Sequence, residues 1–515
     1  MRYEPAYAPW EHQKEARKYL RGRQVAALLM AMRTGKTKVI FDWFGELELE
    51  GMVDDLGVIA PAGVYRTWED QANDHLSEDL KKRLLVHVWE SGAGVQHRRE
   101  LDRFLARRDR PRMLLMNTEA TSKVKLAKDT LLAFLGQRIS MGVYDESTQI
   151  KGPDSKRALF AVQEVKEATN YRAILTGLPT PKSPLDAYMQ FRYLSDDILG
   201  FASYDAFKSR YAITRMLPLG PIVRIPGMGI ATNEDGSVRR REIPQVVGYR
   251  DVDSVARKVQ NSSFRVKLED CYDMPEKMYL YRDVDWHPEQ RRVYEELRMF
   301  ATAELANMEY VTVQAVVTQM LRLHQVVLGH VKNEEGQVRA VPEMRTESLL
   351  DLLEDYDGKA VIWCCYDYNV QGVARAISER FAEAGRPAPV ARFWGGNRKT
   401  REAEEVWFKE DPECRWIVGT PDAGRFGRDW RVADLTVFFG QKPNLEHRVQ
   451  GEERPQGVGV SSSGKAIPGF ASSRSKGYID MRIRGCQVEQ RIIDNLRQKK
   501  VLSNEITGDE WRKWI

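Results

Sequence analysis

Cysteine is scarce: five residues in 515, at positions 271, 364, 365, 414 and 486, with no C-x-x-C pair among them. An odd, scattered set excludes a disulfide framework and a zinc site, both of which need close or paired thiols, so reduced buried thiols are expected. Long apolar runs are missing too. No stretch approaches the ~20 residues that cross a bilayer, and the opening MRYEPAYAPWEHQ lacks the apolar core of a signal peptide. A cytoplasmic protein without a membrane partner is therefore expected. Nor is one sign of charge in large excess: Lys and Arg number 79 against 74 Asp and Glu, a net charge of +5. Any polyanion must then be held by local clusters rather than by the overall field. The densest cluster, VRRRE (Val238 to Glu242), reads as a solvated loop.

What is present is the composition of a folded chain, 42% hydrophobic and 30% charged. At about 150 residues per domain the length allows roughly three. Five short apolar runs, AALLMA, LGVIAP, RMLLMN, MGVYDE and RAILTG, lie within residues 1–195, each followed by a polar or amphipathic segment. That alternation predicts buried strands of a parallel sheet in an α/β lobe. A second set, KAVIWCCY, APVARFWG, RWIVGT and DLTVFFG, falls in residues 345–515 and predicts a second such lobe. Residues 196–344 differ, with turn-rich basic pieces and then long helical patterns, and read as a helical insertion and bridge. GVGVSSSGKAIPGFASSRSKG (457–477), rich in Ser and Gly, reads as a flexible loop.

Two features address a nucleotide. LLMAMRTGKTKVI (Leu28 to Ile40) is an apolar run, a turn holding Gly35-Lys36-Thr37 and an apolar-periodic stretch. A strand entering a helix through such a turn aims backbone N–H groups and the helix N-terminus at one anionic volume. Gly35 would let phosphates approach, Lys36 would reach them, and the Thr37 hydroxyl would bind Mg²⁺. Met30 stands where a phosphate loop has its first glycine, so a basic loop opening a helix stays open as the alternative. MGVYDEST supplies the second feature, a buried strand ending in Asp145 and Glu146. In that pair Asp145 would bind the metal and Glu146 would orient and deprotonate the attacking water. ILTGLPT ends a further strand in Thr176, which could sense the nucleotide state from beside the acidic pair.

In this order the elements resemble helicase superfamily two, and within it the Swi/Snf-like DNA translocases, in a compact phage or bacterial form. PWEHQKEARKYL is similar to the leading base-reading segment, with Gln13 as the amide; AMRTGKT resembles motif I, placing Arg33, Thr34 and Gly35 in the nucleotide site. VIAPAGVYRTW, YDESTQIKG and LTGLPTPKSPLDAYMQFRYL resemble motifs Ia, II and III. DMPEKMYLYRDVDWHPEQRRVY is similar to the bridge into the second lobe, FWGGNRKTREAEEVWFKED to the segment before motif V, and TPDAGRFGRDWRVADLTVFFG to motif V. HRVQGEERPQG resembles motif VI, with Gln450 and Arg454 in place, and CQVEQRIIDNLRQKK the closing brace helix.

The resemblance implies two RecA-like lobes, ATP and Mg²⁺ as ligands, double-stranded DNA as partner, and a monomer whose protein partner is unspecified. Candidate nucleic-acid contacts are Arg66, Asn117, Lys182 and Arg428. Four positions depart from the family pattern. Arg33 stands at a usual glycine, so no positive φ is expected there. Thr148 replaces a histidine of the acidic box, which is expected to weaken coupling to motif VI, and Arg425 replaces a motif V glycine. Gly457 occupies the second arginine position of motif VI. An arginine finger is worth on the order of 10³–10⁵ in rate, so Arg454 is expected to act, with Arg425, Arg428 or Arg474 as substitutes for the second. The implied activity is ATP-driven movement along duplex DNA that remodels bound protein or branched DNA. A strand-separating DNA or RNA helicase and a slow nucleotide-gated clamp are the alternatives.

Overall fold

The computed structural model describes residues 3–92, 94–217, 224–225, 229–231, 233, 242–271, 277–307, 313–333, 336–382, 389–424, 430–456 and 476–507. Seven strands make the first sheet: β1 (Val25–Met30), β2 (Asp55–Ala60), β3 (Leu85–Val88), β4 (Arg112–Asn117), β5 (Ser140–Asp145), β6 (Tyr171–Leu175) and β7 (Ser263–Val266). Their order is β7-β1-β6-β5-β2-β4-β3, with every pairing parallel. The inner strands are largely apolar because both faces are covered. In β1, Ala27 and Leu29 enter one core while Ala26, Leu28 and Met30 enter the other. Since all strands run the same way, their C-terminal ends share one edge, and the segments leaving β1, β6 and β5 emerge side by side. Ligands of open parallel sheets gather at that edge.

The second sheet comprises β8 (Lys277–Val284), β9 (Ala360–Trp363), β10 (Val390–Phe393), β11 (Trp416–Gly419), β12 (Leu435–Phe438) and β13 (Lys476–Ile483). It is also fully parallel, in the order β8-β13-β12-β9-β11-β10. Ala360 and Ile362 face one core, Val361 and Trp363 the other. The expected two parallel-sheet lobes are therefore present.

The middle segment is placed differently from the expectation of a helical insertion at 196–344. Ser263–Val266 extends the first sheet beside β1, and Lys277–Val284 extends the second beside β13, so the chain changes lobes between 266 and 277. Ahead of that crossing, Ala212–Leu217 pairs antiparallel with Ile243–Tyr249. After it come the helices Pro288–Asn307 and Val313–Val327. The last helix, Gln487–Thr507, runs beside Val252–Asn261 of the first lobe. A cluster including Tyr294, Leu323, Val326, Leu445, Ile492 and Leu496 packs under it, and Leu178 of the first lobe joins that cluster.

Cys364, Cys365, Cys414 and Cys486 are buried and Cys271 half-buried, all as free thiols. Among the described residues no His, Cys, Asp and Glu group could hold a metal by itself, and no helix is long and apolar enough to cross a membrane. The arginines of VRRRE, the Ser/Gly stretch 457–475, and with them Arg425, Arg428, Gly457 and Arg474, lie outside the described residues.

Candidate functional site

The turn between β1 and the helix Lys36–Leu49 is closed by its own side chains. Thr34 Oγ1 donates to Ala31 O at 2.8 Å, and Lys36 Nζ donates to Met30 O at 3.0 Å. Gly35 caps the helix at φ 80°, in the left-handed region. A β-carbon there would overlap the amide of Gln13. That amide is buried and hydrogen-bonded at both ends: Oε1 accepts from Trp10 N at 3.0 Å and Nε2 donates to Thr34 O at 3.3 Å. Gln13, expected to read a base, also props the turn, and its amide has a second N–H and a second lone pair beyond these two bonds. Thr37 follows in the first helical turn, where backbone N–H groups lack intrahelical partners.

Arg33 overturns one expectation. It adopts φ 64°, the glycine-like conformation that its side chain seemed to rule out. The left-handed region costs an L-residue roughly 1–2 kcal/mol. Here the turn geometry demands it, and the guanidinium gains a partner: Arg33 Nη2 donates to the carbonyl of Arg454, in the other lobe, at 3.0 Å.

Two strands along, the acidic pair leaves β5. Asp145 Oδ2 accepts from the indole Nε1 of fully buried Trp68 at 3.0 Å, and its Oδ1 accepts from Glu146 N at 3.0 Å. Both bonds fix the carboxylate's rotamer. Burial raises the Asp145 pKa above the ordinary carboxylate range, against the pull of Lys36. Glu146 sits at φ 50°, and strained backbone of this kind collects at functional sites. Burial pushes its carboxyl up to about 7; Lys36 opposes the shift, while the charges of Asp145, Glu446 and Glu453 reinforce it. Between the two strands, buried Thr176 at the end of β6 accepts from Leu178 N at 3.1 Å through Oγ1.

From the second lobe comes the helix Leu445–Glu453, started by Asn444, whose Oδ1 accepts from Glu446 N at 3.1 Å. Glu446, Gln450 and Glu453 are spaced four and three apart and so lie on one helical face. Glu446 accepts from Thr148 Oγ1 at 3.3 Å and from Lys151 Nζ at 3.2 Å, both in the first lobe. Thr148, expected to weaken coupling to motif VI, keeps a contact with that helix: its hydroxyl reaches an acidic partner one turn before Gln450. Glu453 has its pKa raised by burial and lowered in part by Lys277, Lys36, Arg454 and Arg33. Gln450, between these two acids, has a buried Oε1 with no hydrogen-bond partner among the described residues. Arg454 follows the helix and is buried, and its carbonyl also accepts from Trp430 N at 3.1 Å.

The residues fit a magnesium-bound triphosphate. Gly35 keeps the cradle open, Lys36 is cationic, and Thr37 and Asp145 offer the hard oxygen donors that Mg²⁺ prefers. Three of the four expected nucleic-acid contacts end or follow strands at the same C-terminal edge of the first sheet. Arg66, past β2, is exposed and pairs with Glu90 at 2.5 Å. Asn117 ends β4, where its Oδ1 accepts from Ala120 N at 2.7 Å, and exposed Lys182 follows β6. Arg428 is outside the described residues. Sequence reading missed Trp68, Glu446 and Glu453. Trp68 ends the quoted motif Ia stretch, but nothing local says that its N–H meets a carboxylate.

A sequence profile described as the SNF2-related domain matches residues 24–330. Among solved structures, the chain is similar to the Sulfolobus solfataricus SWI2/SNF2 ATPase core in complex with dsDNA, at 18% identity over 99% of this chain and 96% of that one, with a TM-score of 0.39. It is also similar to the Sulfolobus solfataricus SWI2/SNF2 ATPase core domain, at 18% identity over 99% and 92%, with a TM-score of 0.37. No curated protein matches the chain.

Proposed function

The chain belongs to the SNF2-related family, a family of nucleic-acid-dependent ATPases, and from that premise we propose that it is a motor that moves along double-stranded DNA and remodels bound protein or branched DNA. The observation that carries the reading is the meeting of both lobes around the phosphate-loop turn, where Arg33 reaches Arg454 and Lys36 acts on Glu453. A site completed from two lobes is complete only when they are shut, which ties hydrolysis to closure.

In this reading Gln13, Arg33, Thr34 and Gly35 shape the turn, Lys36 holds the β- and γ-phosphates, and Thr37 and Asp145 hold Mg²⁺, which supplies positive charge against the phosphates. Glu146 accepts a proton from the attacking water. Its elevated pKa makes it a competent acceptor near neutral pH. Gln450 and Arg454 approach the phosphates from the second lobe. Arg66, Asn117, Lys182 and Arg428 grip phosphodiester groups, which carry little sequence information.

ATP turnover measured with duplex DNA, single-stranded DNA, RNA and no polymer, at low and moderate salt, tests the reading. Duplex DNA should stimulate most, Lys36→Ala should abolish turnover, and neutralising a phosphate-contacting arginine should lower the salt slope of DNA binding by about one unit. Stimulation by single strands or RNA alone would make the protein a strand-separating helicase. Equally poor turnover by wild type and Glu146→Gln on duplex DNA would make it a clamp.

A further inference from the structure

Glu446 reaches from the second lobe into the first. It is 4% exposed, stands at the capped N-terminal turn of its helix, and places one oxygen on Thr148 and the other on Lys151. Its two donors belong to the turn Ser147–Ile150 and the residue after it, directly behind the acidic pair. That turn is braced from below: Ser147 Oγ donates to Gln190 Oε1 at 2.7 Å, and Gln190 Nε2 donates to the carbonyls of Pro179 and Asp186 at 2.7 and 2.8 Å. A pull on Thr148 is thus delivered to the backbone carrying Asp145 and Glu146.

We propose that Glu446 is a positioning residue for the reaction, a carboxylate latch that engages Thr148 and Lys151 when the lobes shut and seats the acidic pair for its work. The inference rests on the reading of Glu146 as the acceptor of the water's proton. The helix N-terminus favours a negative charge at Glu446. When the lobes part, water takes over all three groups. Desolvation of a buried ion pair largely offsets its Coulombic gain, so the latch adds little net stability and can release in every cycle. Engaged, it is intolerant of error, because a buried charge without its partner is strongly unfavourable.

Charge reversal tests this in the full-length chain, using Glu446→Lys, Lys151→Glu and the double variant, with Thr148→Val as a near-isosteric companion that leaves both charges in place. Two readouts are taken: kcat and KM for ATP with saturating duplex DNA, and small-angle X-ray scattering with Mg²⁺ and a non-hydrolysable ATP analogue. Each reversal should lower kcat about tenfold or more at unchanged KM and enlarge the radius of gyration. The double variant should recover compactness and most of kcat, and Thr148→Val should lose several-fold in kcat. Single variants matching wild type in both readouts, or a double variant no better than either single, overturn the latch. If the wild type hydrolyses no ATP, compaction lost in the singles and regained in the double upholds the latch while removing the motor reading.

Discussion

At Gly35 two constraints coincide, a φ of 80° and a side-chain amide lying where a β-carbon would project. Gly35→Ala therefore combines a backbone cost of about 1 kcal/mol with displacement of Gln13. ATP affinity should fall about tenfold or more, since 1.4 kcal/mol already corresponds to a factor of ten. Gln13→Ala placed in the same chain should recover part of the loss by clearing the space, and equilibrium nucleotide binding across the four proteins measures that coupling. His324 makes a different kind of prediction. It is buried, its Nδ1 lies 3.0 Å from the Tyr366 hydroxyl, and burial together with nearby Arg345, His330 and Lys442 lowers its pKa to about 3. An unfolded histidine titrates near ~6.5, so between that pH and about 3 the unfolded chain binds a proton that the folded one refuses. Stability is present above that window and is lost as pH falls through it, by up to ~1.4 kcal/mol per pH unit. Denaturation midpoints at pH 7 and pH 5 should fall further for wild type than for His324→Gln. Equal drops would remove the linkage. The residues of the site were legible where chemistry is local: Lys36 and Thr37 follow a glycine at a strand end, and Asp145 and Glu146 adjoin each other. Glu446 and Glu453 were not, since their meaning comes from Thr148, Lys151 and Lys36, hundreds of positions away.

Among the elements, strands covered on both faces announced themselves as unbroken apolar runs, as in VAALLM and AVIW. Those missed were mostly at sheet edges. Leu85–Val88, Ser263–Val266 and Lys277–Val284 are largely half-buried or exposed, so no continuous apolar run marks them. Lys476–Ile483 is interior yet carries Asp480 and Arg482, charges tolerable there because Arg448 and Asp283 meet them. The helix Thr67–His75 joins two functions at this scale. Its N-cap residue is Arg66, and its second residue, Trp68, packs edge-on against Phe41 at 5.3 Å between ring centroids while donating to Asp145. Trp68→Phe keeps one aromatic ring against Phe41 and deletes the N–H, together with the packing volume of the indole's second ring. Loss of such a support to a metal-binding carboxylate typically costs about 10–100-fold in metal affinity. The Mg²⁺ concentration for half-maximal turnover should therefore rise by at least the lower figure, with DNA affinity measured without nucleotide unchanged. An unaltered Mg²⁺ requirement would reduce Trp68 to a packing residue.

Over the whole molecule, the lobes are joined by Leu178 in its apolar cluster, by Thr180 Oγ1 donating to Ser503 Oγ at 3.1 Å, by the Glu446 contacts and by Arg33 on the Arg454 carbonyl. No sequence pattern could display this closure, because apolar periodicity reports which face of an element is covered and not which lobe covers it. Arg33 permits the two scales to be separated. Arg33→Gly removes the left-handed strain, worth roughly 1–2 kcal/mol, but adds unfolded-chain entropy of about 0.4–1 kcal/mol. Melting of the first lobe should hence stay level or rise slightly. The same change deletes the hydrogen bond from the phosphate-loop turn to the carbonyl of Arg454, the residue following the helix Leu445–Glu453, so DNA-stimulated turnover should drop even though the fold is no weaker. Arg33→Ala retains the strain and loses the link, and should be both less stable and slow. If turnover instead follows stability across the three proteins, with Arg33→Gly as active as wild type, the arginine serves its own turn alone and closure must be carried by the remaining contacts.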